Sequence, residues 1–206
     1  MTRLPLLPLF PLQSVLFPGG LLRLKVFEAR YLDLVGQCLR ERAPFGVVCL
    51  NQGAEVRSGR DESVRFETVG VLASVQEVDA EQAGILQVRC IGSQRFSLSD
   101  PRQRADGLWQ ANAELIDDDQ THPPPPAMRA SVVALQNAIA SLREQGHEPF
   151  AEPFVLDDAG WVANRWCEIL PISLAAKQRL MMLDEPVLRL KLVDEFLRGK
   201  GVVPGA

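Results

Sequence analysis

Runs of apolar residues divide the chain into a first half with the pattern of short strands and a second half with the pattern of helices. In the first half the runs are short and are separated by glycines, which favours a compact barrel or a curled sheet. We expect turns at four of these glycines, namely Gly70, Gly84, Gly92 and Gly107. The runs predict seven strands, at residues 4–10, 22–26, 45–50, 68–78, 85–91, 94–98 and 108–115.

One helix interrupts the predicted strands. Five apolar residues between positions 31 and 39 repeat with the three- and four-residue spacing of a single helical face. They are Tyr31, Leu34, Val35, Cys38 and Leu39. By contrast, residues 51–67 mix glycine with charged residues and show little periodicity, so we expect a solvated, mobile loop with its tip at residues 57–62.

The second half of the sequence predicts four helices, of which the first three have recognisable start or stop signals. The first follows apolar positions over residues 128–142. Asp157 or Asp158 is the expected cap of the second helix, and Pro171 ends it because a proline disfavours helical geometry at the residue before it. Ser173 is the expected N-cap of the third helix.

The last predicted helix begins at Glu185 and Pro186 and reaches Arg198. Its apolar residues cover a wide face, which we expect to be buried. These residues are Leu188, Leu190, Leu192, Val193, Phe196 and Leu197.

An acidic and proline-rich stretch separates the two halves and is the best linker in the sequence. We therefore predict an α+β protein with three parts. Residues 1–118 form a sheet-rich subdomain with one helix, residues 119–126 form the linker, and residues 127–206 form a helical bundle.

The composition is that of an ordinary globular protein and disfavours several classes of function. Of the residues, 47% are hydrophobic and 23% are charged, and acidic residues outnumber basic ones by 26 to 22. Because no cluster of lysine and arginine is visible, nucleic acid is disfavoured as a partner. Four prolines between Pro5 and Pro18 interrupt the apolar N-terminus, which argues against a signal peptide, and no apolar run is long enough to span a membrane.

The residues that usually carry chemistry do not form a recognisable site. The four cysteines are far apart without a CxxC pair, which indicates buried thiols in a reducing compartment such as the cytoplasm. His122 and His147 lack zinc-ligand spacing, and no phosphate-binding loop or nucleophile elbow is present. Ser173 and Lys177 are one helical turn apart, but a capping serine and a solvent-facing lysine explain them better than a catalytic dyad. We expect no enzyme activity, cofactor or metal.

The most specific segment is residues 7–31, which reads LPLFPLQSVLFPGG and, after one residue, LRLKVFEARY. It resembles the opening of the N-terminal substrate-recognition domain of Lon proteases, with its PLFPL strand, VLFPG turn and FExRY helix entry. Residues 45–48, 84–96 and 170–190 resemble later parts of the same domain in the right order. The ATPase and peptidase parts of a full-length Lon protease have no counterpart in these 206 residues, so we expect a stand-alone recognition domain without either activity.

This resemblance implies a PUA-like β-barrel followed by a helical bundle, and a protein that binds exposed apolar polypeptide segments or a partner protein in protein quality control. Four apolar residues are candidates for contact with such a ligand, namely Phe17, Tyr31, Met181 and Met182. Seven residues of the motifs are expected to fix local geometry, namely Pro11, Pro18, Gly19, Phe27, Glu28, Arg30 and Arg95. Two alternatives stay open, an RNA-binding PUA-like protein and an enzyme with a site hidden in a pocket.

Within the FExRY motif, simple physical chemistry predicts two contacts. Phe27 and Tyr31 are four residues apart and could stack on one face of the helix. Glu28 is well placed at the helix N-terminus, and we expect it to form an ion pair with Arg30 or Arg95.

Overall fold

The structure, a computed structural model, describes residues 2–52 and 64–204 and contains two compact units, Met1–Asp118 and Asp119–Ala206. The tip expected at residues 57–62 lies outside the described residues. The described part of the first unit contains β1 (Arg3–Leu12), β2 (Leu21–Val26), α1 (Ala29–Glu41), β3 (Phe45–Gln52), β4 (Arg65–Phe66), β5 (Val69–Gln82), β6 (Ile85–Gln103) and β7 (Trp109–Leu115).

The strands of the first unit form a mixed sheet whose pairing returns to its starting strand. Neighbours along the sheet are β1, β7, β6, β5 and β3, all antiparallel, and β3 also pairs with β1 in parallel. β2 and β4 lie off this circuit and pair with β6 and β3 respectively. The predicted α+β order of a sheet-rich part followed by helices agrees with the structure, whereas the PUA-like barrel label stays a prediction.

Alternating residues of the strands fill the core of the first unit. Because successive side chains of a strand point to opposite faces, alternate residues of β1 and β7 enter this core cluster at Leu7, Leu9, Ala111 and Ala113. The other buried members of this cluster are Val48, Leu72 and Phe96. The predicted helix is present as α1, with Tyr31, Leu34, Val35 and Cys38 buried, but Leu39 is exposed.

Three details of the predicted sheet are wrong. Residues 85–91 and 94–98 belong to one long strand, β6, and the short strand β4 falls within the predicted loop. Gly70 and Gly92 lie inside β5 and β6, and only Gly84 and Gly107 have the positive φ that a turn requires. A glycine inside a strand can mark a close approach of another backbone, which a local pattern does not distinguish from a turn.

The described part of the second unit is helical. Its elements are a short 3₁₀ helix (Pro126–Met128), α2 (Arg129–Glu144), α3 (Ala159–Ile169), α4 (Leu174–Met182) and α5 (Pro186–Gly199). Asp158 caps α3 by accepting hydrogen bonds from the N–H groups of Gly160 and Trp161 at 3.3 and 3.1 Å, and Ser173 caps α4 through Ala176 at 3.2 Å. These two capping residues were predicted, because side-chain oxygens at the first position of a helix satisfy otherwise unpaired N–H groups.

The predicted buried face of α5 is too wide. Leu190, Val193 and Leu197 are buried, but Leu188 and Leu192 are exposed. Two polar residues of the same helix, Arg189 and Asp194, are buried instead. No helix in the described residues is long and apolar enough to span a membrane.

The close approach of strands at Gly70 gives a test of the fold. A Cβ at Gly70 would overlap the carbonyl oxygen of Val47 and lie 2.8 Å from the ring of Phe96, so we expect Gly70→Ala to lower the free energy of unfolding by about 2 kcal/mol or more. Gly36→Ala on α1 is the matched control, because its Cβ meets only the end of the Arg40 side chain, at 3.3 Å. The control should be neutral or stabilising by about 0.5 kcal/mol. Urea unfolding would measure both, and equal effects of the two substitutions would contradict the packing described.

Candidate functional site

Residues 14–20 form a turn that is anchored on the middle of β6. Gly19 has a φ of 72°, and its N–H donates to the carbonyl of Gly92 at 2.8 Å. The N–H of Gly92 in turn donates to the carbonyl of Gly20 at 2.8 Å. A Cβ on Gly92 would lie 2.5 Å from the carbonyl oxygen of Phe17, so glycine is needed at this crossing. Phe17 itself is fully buried beneath the turn.

Pro11 lies at the position where β1 changes partner. The last β1 residue paired with β7 is Leu9, and from there to Leu12 the strand pairs with β3 alone among the described strands. A proline has no N–H to donate, so it is tolerated where one edge of the strand lacks a neighbour. Beyond Leu9, this edge of β1 therefore has no strand neighbour among the described residues, although Phe10 to Leu12 are buried.

In the FExRY motif, the side chain of Arg30 links the start of α1 to the loop before β7. One guanidinium nitrogen lies 2.8 Å from the Glu28 carboxylate, and another donates to the carbonyl of Gly107 at 2.8 Å. The guanidinium also lies 4.6 Å from the centre of the Tyr31 ring. The predicted ion pair between Glu28 and Arg30 is thus present, and it fixes the start of α1 on the loop before β7.

The predicted stacking of Phe27 on Tyr31 is not the arrangement found. Tyr31 stacks on Phe10 of β1, with ring centres 3.9 Å apart and planes within 15°. Phe27 precedes the helix, whose N-cap is Glu28, so the four-residue helical spacing does not apply to it. Its side chain is 49% exposed. Burial thus separates the two aromatic residues of the motif, with Tyr31 inside and Phe27 at the surface.

Arg95 binds the chain segment that follows β7. Its side chain is buried, and it donates a hydrogen bond to the carbonyl of Asp117 at 3.3 Å. The main chain of Arg95 accepts from the N–H of Ile116 at 2.9 Å, and Gln94 donates to the Ile116 carbonyl at 2.9 Å. These bonds hold the chain that follows β7 against β6. The ion-pair partner found for Glu28 is Arg30.

A groove with a volume of about 380 Å³ lies between the end of β1, strand β2 and the start of α1. Its walls include buried apolar side chains and exposed polar ones. The apolar residues are Phe10, Leu12, Leu22, Leu24, Val26, Phe27 and Tyr31, and the polar residues are Ser14, Arg23, Lys25 and Glu28. Such a mixture of apolar surface and a few polar groups is typical of a binding groove. Its size suits one or two side chains of a larger ligand.

Burial limits which of the four candidate contact residues can meet a ligand. Phe17 and Met181 are fully buried, and Tyr31 lines the groove but is buried in contact with Phe10 and Arg30. Met182, at the end of α4, is exposed. Phe27 was predicted to be a structural residue, but in the structure it is the most exposed aromatic side chain of the groove.

A family model described as the ATP-dependent protease La (LON) substrate-binding domain matches residues 6–199 of the chain. The chain belongs to this family. As a Lon substrate-binding domain, it has a solved structural relative in the Lon N-terminal domain protein from Xanthomonas campestris, which is 30% identical with a TM-score of 0.72. That alignment covers 94% of this chain and 97% of the relative.

Three further relatives are more distant in sequence. The N-terminal domain of Lon protease from Mycobacterium avium complex has the same fold at 12% identity, with a TM-score of 0.60 over 95% of this chain and 97% of that one. Among curated proteins, protein cereblon from Danio rerio is 26% identical over 55% of this chain, and that from Gallus gallus is 23% identical over 74%. The matched regions span only 25% and 31% of those two proteins.

In the second unit of this Lon substrate-binding domain, a buried arginine holds four segments together. Arg189 of α5 lies 2.6 Å from the carboxylate of Asp119 and 3.0 Å from the amide oxygen of Asn164 on α3. It also donates to the main-chain carbonyls of Leu180, at 2.8 Å, and Leu183. Asp119 was predicted to belong to a solvated linker, but it is the charge partner of Arg189. No local pattern indicates this pairing, because 70 residues separate the two.

A second buried arginine organises α3. Arg165 is fully buried, lies 5.6 Å from the ring centres of both Phe150 and Trp161, and donates to the Glu168 carboxylate at 2.6 Å. Lys177 donates to the main-chain carbonyl of Glu168 at 2.9 Å, so it is not the solvent-facing lysine that the sequence predicted. Burial raises the pKa of Glu168 from 4.5 to about 7, although the charge of Arg165 acts to lower it.

The remaining chemically reactive residues are buried thiols. Cys38, Cys49, Cys90 and Cys167 are free and buried. Burial raises the pKa of Cys38 to about 11 and those of Cys90 and Cys167 to about 12, which keeps these thiols protonated and poorly nucleophilic at neutral pH. Within residues 2–52 and 64–204, no group of three histidine, cysteine or carboxylate side chains could hold a metal ion.

The Asp119–Arg189 pair is testable by removing the carboxylate. Asp119→Ala leaves a buried guanidinium without its charge partner, so we expect the free energy of unfolding to fall by about 3 kcal/mol. Asp118→Ala is the control, because Asp118 is exposed and should change stability by less than about 0.5 kcal/mol. Thermal and urea unfolding would measure both variants, and a harmless Asp119→Ala would show that the pair does not stabilise the unit.

The raised pKa of Glu168 predicts a pH dependence of stability. Between pH 4.5 and about 7 the folded protein binds more protons at this site than the unfolded chain, so this group makes stability fall as pH rises through that range. Glu168→Gln should flatten this part of the curve, whereas the exposed Glu144→Gln should keep the wild-type slope. Urea unfolding at several pH values would measure the slopes, and an unchanged slope in Glu168→Gln would contradict the assignment.

Proposed function

We propose that this Lon substrate-binding domain binds exposed apolar segments of other polypeptides in the groove between β1, β2 and α1, and that it serves protein quality control. The observation that carries the proposal is Phe27, a large aromatic side chain that stands 49% exposed at the mouth of a groove with an apolar floor. An aromatic residue beside an apolar cleft is a common anchor for a protein ligand.

The surroundings of Phe27 support a preformed site. The floor is fixed by the stacked pair Phe10 and Tyr31, and the helix entry is held by the Arg30 contacts to Glu28 and Gly107. A rigid apolar surface needs little reorganisation on binding, which favours affinity. The family description, a substrate-binding domain, supports a polypeptide as the ligand. The closed circuit of strand pairing supports the PUA-like character expected from the sequence.

The proposal predicts that Phe27 contributes more to the affinity for an unfolded polypeptide than an equally exposed apolar residue elsewhere. We expect the purified protein to bind a fluorescently labelled unfolded protein, such as reduced and carboxymethylated lactalbumin, more tightly than the native form. Phe27→Ser should weaken this binding about tenfold, since truncating a large aromatic anchor costs 1 to 2 kcal/mol or more. The matched control is Leu39→Ser, because Leu39 is 47% exposed and does not line the groove.

Fluorescence anisotropy would measure these affinities, with a short single-stranded RNA as a competitor. An equal loss of affinity for the unfolded protein in Phe27→Ser and Leu39→Ser would mean that this protein does not bind in the groove. Tighter binding of the RNA than of the unfolded protein would favour the RNA-binding alternative.

A further inference from the structure

Strand β2 presents an open edge. Among the described strands it pairs with β6 alone, in an uninterrupted antiparallel register from Leu21 opposite Ile91 to Val26 opposite Leu86. In such a pair, successive residues direct their main-chain N–H and C=O groups alternately toward the partner strand and away from it. An edge strand therefore offers main-chain donors and acceptors to any extended segment that lies beside it.

The hydrogen bonds at Gly20 show which residues face the open edge. The carbonyl of Gly20 accepts from the N–H of Gly92, so this carbonyl faces β6. By alternation along the unbroken register, Leu22, Leu24 and Val26 also face β6. The intervening residues, which include Leu21 and Lys25, direct their main-chain groups away from β6.

The groove follows this edge. Five consecutive residues of β2, from Leu22 to Val26, line it, so it runs along the strand and is not confined to one face. Across the groove lie Phe10 and Leu12 of β1, in the part of that strand that has passed its last pairing with β7. The ends of two strands that do not pair with each other thus border the same cleft, and main-chain polar groups lie beside an apolar floor.

The charges on the groove indicate what kind of segment would fit. Lys25 projects from the exposed face of β2, while the carboxylate that lines the groove, Glu28, is paired with Arg30 at 2.8 Å. Lys25 therefore gives the groove a positively charged side chain. An extended ligand strand has side chains alternating between two faces, so apolar residues could enter the groove while acidic residues between them meet Lys25.

We propose that β2 binds its polypeptide ligand by strand addition, with an extended segment of alternating apolar and acidic residues pairing along the open edge of β2. This inference rests on the proposed function and adds the binding mode and the chemistry of the preferred segment. Main-chain hydrogen bonds supply affinity that is independent of sequence, and the apolar floor and Lys25 supply the preference.

A proline at position 25 tests the main-chain contact. Lys25→Pro removes an N–H that faces away from β6, so the β2–β6 hydrogen bonds are retained, and a proline on an edge strand is tolerated in this orientation. Lys25→Ala is the matched control, since it removes the charge and keeps the N–H. With a fluorescein-labelled synthetic peptide in which valine alternates with glutamate, we expect several-fold weaker binding to Lys25→Ala and about tenfold weaker binding again to Lys25→Pro.

A second experiment leaves the protein unchanged and alters the peptide. Methylating the main-chain nitrogen of every second residue removes the donors on one edge of the peptide. We expect one of the two alternative methylation patterns to abolish binding and the other to preserve it, because only one edge of an added strand faces β2. A peptide with lysine in place of glutamate should bind at least about tenfold more weakly, as like charges oppose each other across the groove.

The outcomes separate the binding mode from the function. If the unfolded protein binds through Phe27 but both methylated peptides bind equally well, strand addition is overturned and the proposed function stands. Arg23 and Lys25 would then act as charges that keep this edge from pairing. If neither the unfolded protein nor any peptide binds, the proposed function itself fails. A dimer that dissociates in Lys25→Pro would show that a second copy of the chain occupies the edge, which also overturns the inference.

Discussion

The parallel pairing of β1 with β3 is the contact on which the arrangement of the first unit depends. This pairing returns the circuit β1-β7-β6-β5-β3 to its first strand. The strands of the circuit then enclose a core cluster of side chains between them. The same contact requires β1 to leave β7 after Leu9 and to continue beside β3. Because β2 is excluded from the circuit, it has one strand partner in the described part of the chain and an open edge. The groove is thus a consequence of how the sheet closes.

Close approaches of backbone hold the groove in shape. At Gly92 the turn before β2 crosses β6 at a distance that allows no side chain, and reciprocal hydrogen bonds tie Gly19 and Gly20 to it. On the other side, Arg30 connects the helix entry to Gly107 and covers Tyr31. These contacts are made by residues whose conformations are restricted by the surrounding packing, so the groove is part of the fold itself. Phe27 lies outside this framework, and its side chain is half-exposed.

Buried charged residues connect the helices of the second unit, whereas close-packed strands form the core of the first. Arg189 and Arg165 are both fully buried, and each is surrounded by oxygen acceptors or aromatic rings. A similar polar contact joins α2 to α5, where Ser131 donates to the carboxylate of Asp194 at 2.6 Å. Such contacts contribute less net stability than apolar packing, but removing one partner is costly, because it leaves the other polar or charged group buried without its partner.

Local sequence patterns determined the elements of this protein, and tertiary structure decided how they are used. The caps at Asp158 and Ser173, the apolar face of α1 and the Glu28–Arg30 ion pair were predictable, because each depends on residues within a few positions of one another. The order of motifs along residues 7–31 also indicated the family. By contrast, the partner of Asp119 is 70 residues away, the glycines at 70 and 92 meet distant backbone, and Phe27 and Tyr31 differ in burial although both are aromatic. These features depend on which segments approach one another in space, and that is set by the closure of the sheet and the packing of the helices.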